Sequence, residues 1–476
     1  MHLNDLQKKG EERAMDREKD QKRQTSERAS FSGRMGYVLA VAGSAVGLGN
    51  IWRFPYLAAK FGGGMFLLVY LILMLTFGYT LIVTETALGR MTKKSPVGAF
   101  AHFGKGKAFK IGGWLNAVIP MLIVPYYSAI GGWVMKYLFE YLRGNAQVLA
   151  QDQYFTNFTL NGASMEIWFL LFAVCVVAII MAGVEHGVEK VSKIMMPLLV
   201  ILAIFVAIYS VTRPGAMEGV KYFLLPDLKN FSWMTVVAAM GQMFYSLSIA
   251  MGILYTYGSY IGKDVDIEQS TRQVEYFDTG IAMLAGLMII PAVFAFSGGA
   301  PETLQAGPSL MFITIPKVFA SMGMGTVVGV MFFLMVFFAA LTSAISLMET
   351  SVSTITDQFG LNRTASCLLM GAGLIVLGSG SALGFNVLDF IKPFGMTILD
   401  FFDFLTNSVM MPLAALATCI LVLRVVGLKK IAEEIEISSP FKRKKLYNFF
   451  LKYLAPAFLV IILVSSIANV MGWISL

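Results

Sequence analysis

The chain has 476 residues, of which 57% are apolar and 14% charged. A soluble domain is about 25% charged and about 45–50% apolar, so the polar surface that a soluble globule of this length needs is missing, which argues against a soluble enzyme. Lys and Arg outnumber Asp and Glu by 37 to 29, and their placement reads as membrane orientation rather than nucleic-acid binding.

Residues 1–30 carry 8 basic and 7 acidic side chains and almost nothing apolar, which predicts a disordered charged cytoplasmic tail over 1–34. No cleavable signal peptide is apparent there. A bilayer core about 30 Å thick takes about 20 apolar residues per helix. Eleven apolar stretches are candidate spans, near 36–58, 64–89, 111–142, 166–182, 190–212, 231–258, 272–298, 316–355, 364–379, 394–425 and 447–473, of which 364–379 is short and glycine-rich. The expected fold is therefore an all-α polytopic membrane protein, with a core over 35–425 and a cytoplasmic linker plus an eleventh span in 426–476. With the N-terminus inside, 28 basic residues fall on the cytoplasmic side and 8 on the other. Retention of basic loops then places the N-terminus in the cytoplasm and the C-terminus outside a cell (inner or plasma) membrane. Cys175, Cys367 and Cys419 sit singly in apolar runs and read as packing residues.

The first span contains Gly43-Ser44-Ala45-Val46-Gly47-Leu48-Gly49-Asn50-Ile51-Trp52-Arg53-Phe54-Pro55. Each interior glycine costs a helix about 1 kcal/mol relative to Ala. Backbone groups freed inside a bilayer need protein or water as partners. Close helix contact explains the glycines alone, but Asn50 and an intramembrane Arg53 favour a functional break. Span six has Gln242, Ser246 and Ser248 amid apolar neighbours. Interruptions in spans one and six fit paired broken helices of a five-plus-five inverted repeat, over 36–212 and 231–425. In span eight, Thr342 and Ser343 put hydroxyls at membrane depth. Alone they read as helix–helix hydrogen bonds; beside a broken first helix they read as oxygen ligands for a hard cation.

The stretch Ala42–Tyr56, with Gly62-Gly63-Gly64, Tyr126-Tyr127, Trp133, Gly241-Gln242 through Ser248, and Leu341-Thr342-Ser343, resembles the neurotransmitter:sodium symporter family from about Arg28 to the end. Eleven spans resemble a common bacterial branch. The resemblance implies the leucine-transporter fold, five-plus-five helices and one more, with helices one and six unwound at mid-membrane. It also implies Na⁺-coupled import of a neutral L-amino acid by alternating access, two Na⁺ sites and no enzymatic activity. One Na⁺ would be held by the carbonyls of Gly43, Val46 and Ala339 and the hydroxyls of Thr342 and Ser343. The other would be held by the Ala45 carbonyl, Asn50, Ser246, Asp278 and the carboxylate of the substrate itself, a shared ligand that makes the coupling reciprocal. Substrate contacts carry over to Ser44, Ala45, Gly47, Gly49, Ile123, Tyr127, Tyr245, Ser246, Ser248, Met251, Ser343 and Leu347. Arg53 and Asp400 match an outer gate; Arg28, Ser259, Tyr260 and Asp357 match an inner one.

Biogenic-amine members carry Asp where this chain has Gly47, so a zwitterionic amino acid fits better than a monoamine. Chloride-dependent members carry Asn at the position of Asp278. A fixed carboxylate there replaces the anion, and chloride is not expected to be required. Asp278 either stays ionised in a wet cavity or takes up a proton once Na⁺ leaves. Met251, Ile123 and Leu347 form an adaptable apolar lining, which favours a hydrophobic or aromatic amino acid. A proton-driven transporter of the same fold remains an alternative, as does a channel or receptor, although the polar residues spread over spans one, six, seven and eight form no single charged ring. His2, His102 and His186 lie in the tail or loops, so no intramembrane catalytic pair is visible. The expected partners are the amino acid and the lipid bilayer, with no nucleic acid; monomer and homodimer both stay open.

Overall fold

A computed structural model describes residues 29–104, 106–298, 308–471 and 473. Arg28 and the earlier part of the predicted tail lie outside the described residues, which contain helices and turns and no strand. The helices begin with α1 (Arg34–Ala45) and α2 (Gly49–Lys60), a pair bent by 53°. Then come α3 (Gly64–Thr92), α4 (Lys107–Leu142), α5 (Gly162–Met181) and α6 (Val184–Val211). The pair α7 (Trp233–Ser246) and α8 (Ile253–Ser259) follows. The series continues with α9 (Ile267–Ser297), the short α10 (Leu310–Ser321), α11 (Gly325–Phe359), α12 (Arg363–Leu383) and α13 (Ile398–Val426). It closes with the short α14 (Leu428–Glu436) and then α15 (Lys444–Asn469). Among the described residues, nine helices are long and apolar enough to span a membrane, ten with the bent pair α1–α2. A count of eleven requires α7 and α8, each too short alone, to form one more.

Both interruptions have local causes. After Ala45, Val46 turns extended (φ −75°, ψ 90°), and helix resumes at Gly49 as a wide π-type turn with Pro55 in the first turn of the α-segment beyond it. Proline lacks an N–H and is tolerated at such a helix start. Between α7 and α8, Ser248 (φ 53°) and Ala250 (φ 60°) hold left-handed backbone, at about 1–2 kcal/mol each. Two bonds fix that strained turn: the Ala250 N–H donates to Glu85 Oε1 (2.9 Å), and Ser248 Oγ donates to the Ser44 carbonyl (3.1 Å).

The spans pack in two groups joined by α11, which also contacts α1 and α6. Helices α4, α5, α11 and α12 contact one another, while α3 packs against α7 and α8, and α9 against α1, α2 and α6. The α3–α8 contact is close because Gly89 has no side chain: a Cβ there would lie 2.1 Å from the Tyr255 carbonyl oxygen. Most spans begin or end a few residues from the sequence reading, and at two of them the local cause is plain. Residues 316–321, expected to open span eight, belong to the separate helix α10, since the chain turns at Met322–Met324, where Met324 is left-handed (φ 63°). Span nine, expected over 364–379, runs over Arg363–Leu383; the Asn362 side chain, which accepts from the Ala365 N–H, caps its start, and most of the added length lies at its other end. The end of the predicted tail is docked: Phe31 is buried, with its ring against Tyr37, Tyr257 and Tyr260.

Candidate functional site

The two broken helices face each other. Ser44 Oγ and Ser248 Oγ share a hydrogen bond of 3.0 Å, and Gln242 Nε2 donates to the Gly49 carbonyl (3.1 Å). Between them and helices α4 and α11 lies a cavity of about 30 Å³. All twelve positions expected to touch a substrate line it, joined by Leu48, Asn50 and Ile253. The cavity is two-sided. Near Gly47 it is polar: the Leu48 N–H donates to the Tyr127 hydroxyl (3.2 Å) and the Gly47 N–H to Asn50 Oδ1 (3.2 Å). Ile123, Met251, Ile253 and Leu347 supply apolar wall.

Asp278, on α9, is fully buried beside this cavity. Asn50 Nδ2 (2.8 Å) and Ser246 Oγ (2.7 Å) donate to its Oδ1, and the Tyr70 hydroxyl (2.9 Å) to its Oδ2. Among the described residues no cationic side chain pairs with it. A buried ionised carboxylate is costly unless a cation accompanies it; here its partners are two hydroxyls and one amide, all neutral.

A second oxygen cluster joins α1 to α11. Ser343 Oγ donates to the carbonyls of Gly43 (3.2 Å) and Ser44 (3.0 Å), and Thr342 Oγ1 to those of Phe338 (2.9 Å) and Ala339 (3.2 Å). Gly43, Ala339, Thr342 and Ser343 are therefore gathered, and Val46 is buried at the α1 break. Hard monovalent cations favour such uncharged oxygens.

The candidate gates stand on two sides. A vestibule of about 430 Å³, lined by Arg53, Asp400 and Asp403, adjoins the small cavity, with Tyr127 and Tyr245 common to both. Arg53 lies over the Tyr245 ring at 5.3 Å and, among the described residues, makes no ion pair with Asp400, whose Oδ2 accepts from Thr397 Oγ1 (2.8 Å). Asp403 is the carboxylate within electrostatic reach of Arg53. It accepts from the Tyr126 hydroxyl (3.2 Å) and from Asn407 Nδ2 (2.6 Å).

On the opposite side the polar groups are bonded to one another or to nearby backbone. The Tyr260 hydroxyl donates to Glu349 Oε1 (2.7 Å), on which the Arg363 guanidinium forks (2.6 and 3.0 Å). Ser259 Oγ donates to the Thr256 carbonyl (2.5 Å), and Asp357 Oδ2 accepts the Ser95 N–H (2.7 Å). Glu85, Glu349, Arg363 and Asp403 were missed by sequence reasoning. Each is an ionisable residue within or at the edge of an apolar run, the same signal that drew attention to Arg53.

Comparison with known proteins decides the family. Residues 28–156 and 156–473 match the profile of the sodium:neurotransmitter symporter family. The chain belongs to that family. A sodium-dependent transporter of Bacillus subtilis is 33% identical over 442 residues, 92% of this chain and 97% of that one. A sodium-dependent transporter of Haemophilus influenzae is 32% identical over 455 residues, 93% and 98% of the two chains. The human sodium- and chloride-dependent GABA transporter 2 is 28% identical over 80% of this chain and 72% of its own. The crystal structure of MhsT in complex with L-phenylalanine superposes with a TM-score of 0.83 at 36% identity, covering 92% of this chain and all of that one.

This sodium symporter is thus a multi-pass membrane protein of the leucine-transporter fold, a secondary transporter that uses Na⁺ to move a small molecule, and not an enzyme. In the symporter's cavity, a Cβ at Gly47 would lie 2.8 Å from Ser343 Oγ and 3.0 Å from the Tyr127 hydroxyl. Gly47→Ala is expected to weaken substrate binding about tenfold or more, since forced overpacking costs about 1–3 kcal/mol. Radioligand binding at saturating Na⁺ checks this, and an unchanged affinity would show that the substrate lies elsewhere.

Proposed function

We propose that the protein imports a neutral, hydrophobic or aromatic L-amino acid together with Na⁺ across the cell membrane, with its N-terminus in the cytoplasm. The observation that carries the reading is the Asp278 cluster beside a cavity that is polar at one end and apolar at the other. An amino acid places its carboxylate at the polar end, near Tyr127 and the backbone of the α1 break. There it completes a first Na⁺ site made by the Ala45 carbonyl, Asn50, Ser246 and Asp278. A second Na⁺ takes the carbonyls of Gly43, Val46 and Ala339 with the hydroxyls of Thr342 and Ser343. The apolar wall takes the side chain, in keeping with a structural relative solved with L-phenylalanine. One methylene in such a wall is worth about 1–3 kcal/mol, so the preferred amino acid follows the volume left by Met251 and Leu347.

Alternating access in this reading uses the two-sided closure. The cavity communicates past Tyr127 and Tyr245 with the Arg53–Asp400–Asp403 vestibule, while Phe31, Tyr260, Glu349 and Arg363 close the other route. Residues 36–212 and 231–425 act as the two repeats, with α7 and α8 together as the sixth of eleven spans. The fixed charge on Asp278 stands in for chloride.

Uptake of radiolabelled phenylalanine or leucine into proteoliposomes tests the reading. Replacing external Na⁺ by choline is expected to abolish uptake, and replacing chloride by gluconate to leave it within about twofold. Uptake undiminished in choline removes the sodium-coupled reading; a steep chloride requirement removes the role given to Asp278.

A further inference from the structure

The basic residues that open α15 divide into two groups. Arg443 is held inside the protein, its Nη1 3.7 Å from Glu275 Oε2 and its guanidinium 4.8 Å from the centre of the Tyr79 ring. Lys444 pairs with Glu436 at 2.9 Å. Lys442, Lys445 and Lys452 are exposed and, among the described residues, make no ion pair. Glu268 does not serve them, because its carboxylate is buried and accepts the backbone N–H groups of Lys442 (2.7 Å) and Arg443 (3.3 Å).

Two of these three lysines share a helix face, and Lys442 lies in the turn just before it. Lys445, Phe449 and Lys452 follow one another at steps of four and three residues, which is one face of a helix. Phe449 is 52% and the adjacent Tyr453 57% exposed. Their rings are 5.8 Å apart, and Lys452 Nζ lies 5.0 Å from the centre of the Tyr453 ring. Next to this face, the Met74–Gly78 turn of α3 packs against Phe450–Leu454, and exposed Ile72 and Leu75 continue the apolar surface.

Length places this face at a bilayer boundary. The 26 residues of α15 span about 39 Å against a hydrocarbon core of about 30 Å, leaving about six residues in the headgroup layer. With that surplus at the Lys444 end, Lys445 stands among headgroups. Lys452 starts just inside the hydrocarbon, and its stem reaches back to the same layer.

We propose that Lys442, Lys445 and Lys452, with Phe449 and Tyr453, form a binding site for the headgroup of an anionic phospholipid of the cytoplasmic leaflet, the acyl chains lying on α15 and α3. Each ammonium near an anionic surface adds attraction for an anionic headgroup. A zwitterionic lipid gains less, because its own cationic group is repelled by the same lysines. Glu268 ties the start of α15 to α9, which carries Asp278, so an occupied site steadies a helix of the transport core. The site rests on the orientation drawn from the basic loops and not on which substrate is carried.

The test uses the full chain purified in neutral detergent, with its melting followed as lipid is added. Phosphatidylglycerol is expected to raise the melting temperature by about 3 °C or more, and phosphatidylcholine or soluble glycerol phosphate to leave it unchanged. In the variant Lys442→Gln/Lys445→Gln/Lys452→Gln the shift should vanish, and in the charge-matched control Lys94→Gln/Lys107→Gln/Lys110→Gln, three exposed lysines elsewhere, it should persist. Equal shifts with phosphatidylcholine, reproduction by glycerol phosphate, or equal losses in variant and control overturn the proposal. Should the triple variant not fold, native mass spectrometry of the unaltered protein decides: phosphatidylglycerol adducts that outlast phosphatidylcholine adducts support the site, and equal retention overturns it.

Discussion

Asp278→Ala is expected to abolish Na⁺-stimulated substrate binding while leaving a folded protein. In the intact protein one formal negative charge is gathered with the amide of Asn50 and the hydroxyls of Ser246 and Tyr70, in a buried position. At about 4 Å and an effective dielectric of about 20, a unit charge attracts a cation by about 4 kcal/mol. Losing even about 2.7 kcal/mol of that weakens Na⁺ binding about a hundredfold. Asp278→Asn keeps the shape and most of the hydrogen bonds but not the charge. It should lower Na⁺ affinity by a similar factor and recover when chloride is supplied, an anion next to Tyr70 replacing the lost carboxylate. Scintillation proximity binding over a Na⁺ titration, with chloride or gluconate as counterion, separates these outcomes. An alanine variant with unchanged Na⁺ dependence would show that Asp278 only buttresses α9 against α2.

The sequence marked the first break more clearly than the second. Three glycines, Asn50, Arg53 and Pro55 in thirteen residues of an apolar run each carry a physical penalty, and the helix yields between Ala45 and Gly49. The second break lies at 247–252, where the left-handed positions before Gly252 are occupied by Ser248 and Ala250, residues that do not announce such a backbone. One of the two bonds that hold that turn comes from Glu85, 165 residues away in sequence. Its partner is a backbone N–H, which leaves no side-chain pattern to read. Asp403 was passed over for Asp400 because both lie in the same helical run, three residues apart. Only packing shows that the vestibule side of α13 brings Asp403 towards Tyr126 and Arg53. The twelve positions expected at the substrate came one by one from the resemblance, and the helices gather all of them around one cavity.

Glu434→Leu is expected to destabilise the protein more than any single change at the substrate cavity. Arg90, at the end of α3, has a fully buried side chain. Its Nε donates to Glu434 Oε1 (2.8 Å), its Nη2 to the Glu434 carbonyl, and its Nη1 to the Val265 carbonyl (2.6 Å). Lys263 reaches both oxygens of the same carboxylate (2.6 and 2.7 Å). Glu434 thus fastens α14 to α3 and to the connection between α8 and α9. Removing the carboxylate leaves a guanidinium that has no route to water and only neutral acceptors, and breaking a buried pair from one side costs about 3–5 kcal/mol. Arg90→Met spares Glu434 that fate, because Lys263 is half exposed and still pairs with it, so this variant should lose less. The double variant Arg90→Met/Glu434→Leu removes both charges and should melt above the Glu434→Leu single variant. Melting curves of the three variants in detergent give the comparison. A double variant as unstable as the sum of the two singles would mean that the two side chains act independently, and that what anchors α14 is the apolar face of Ile431 and Ile435, both fully buried, rather than the ion pair.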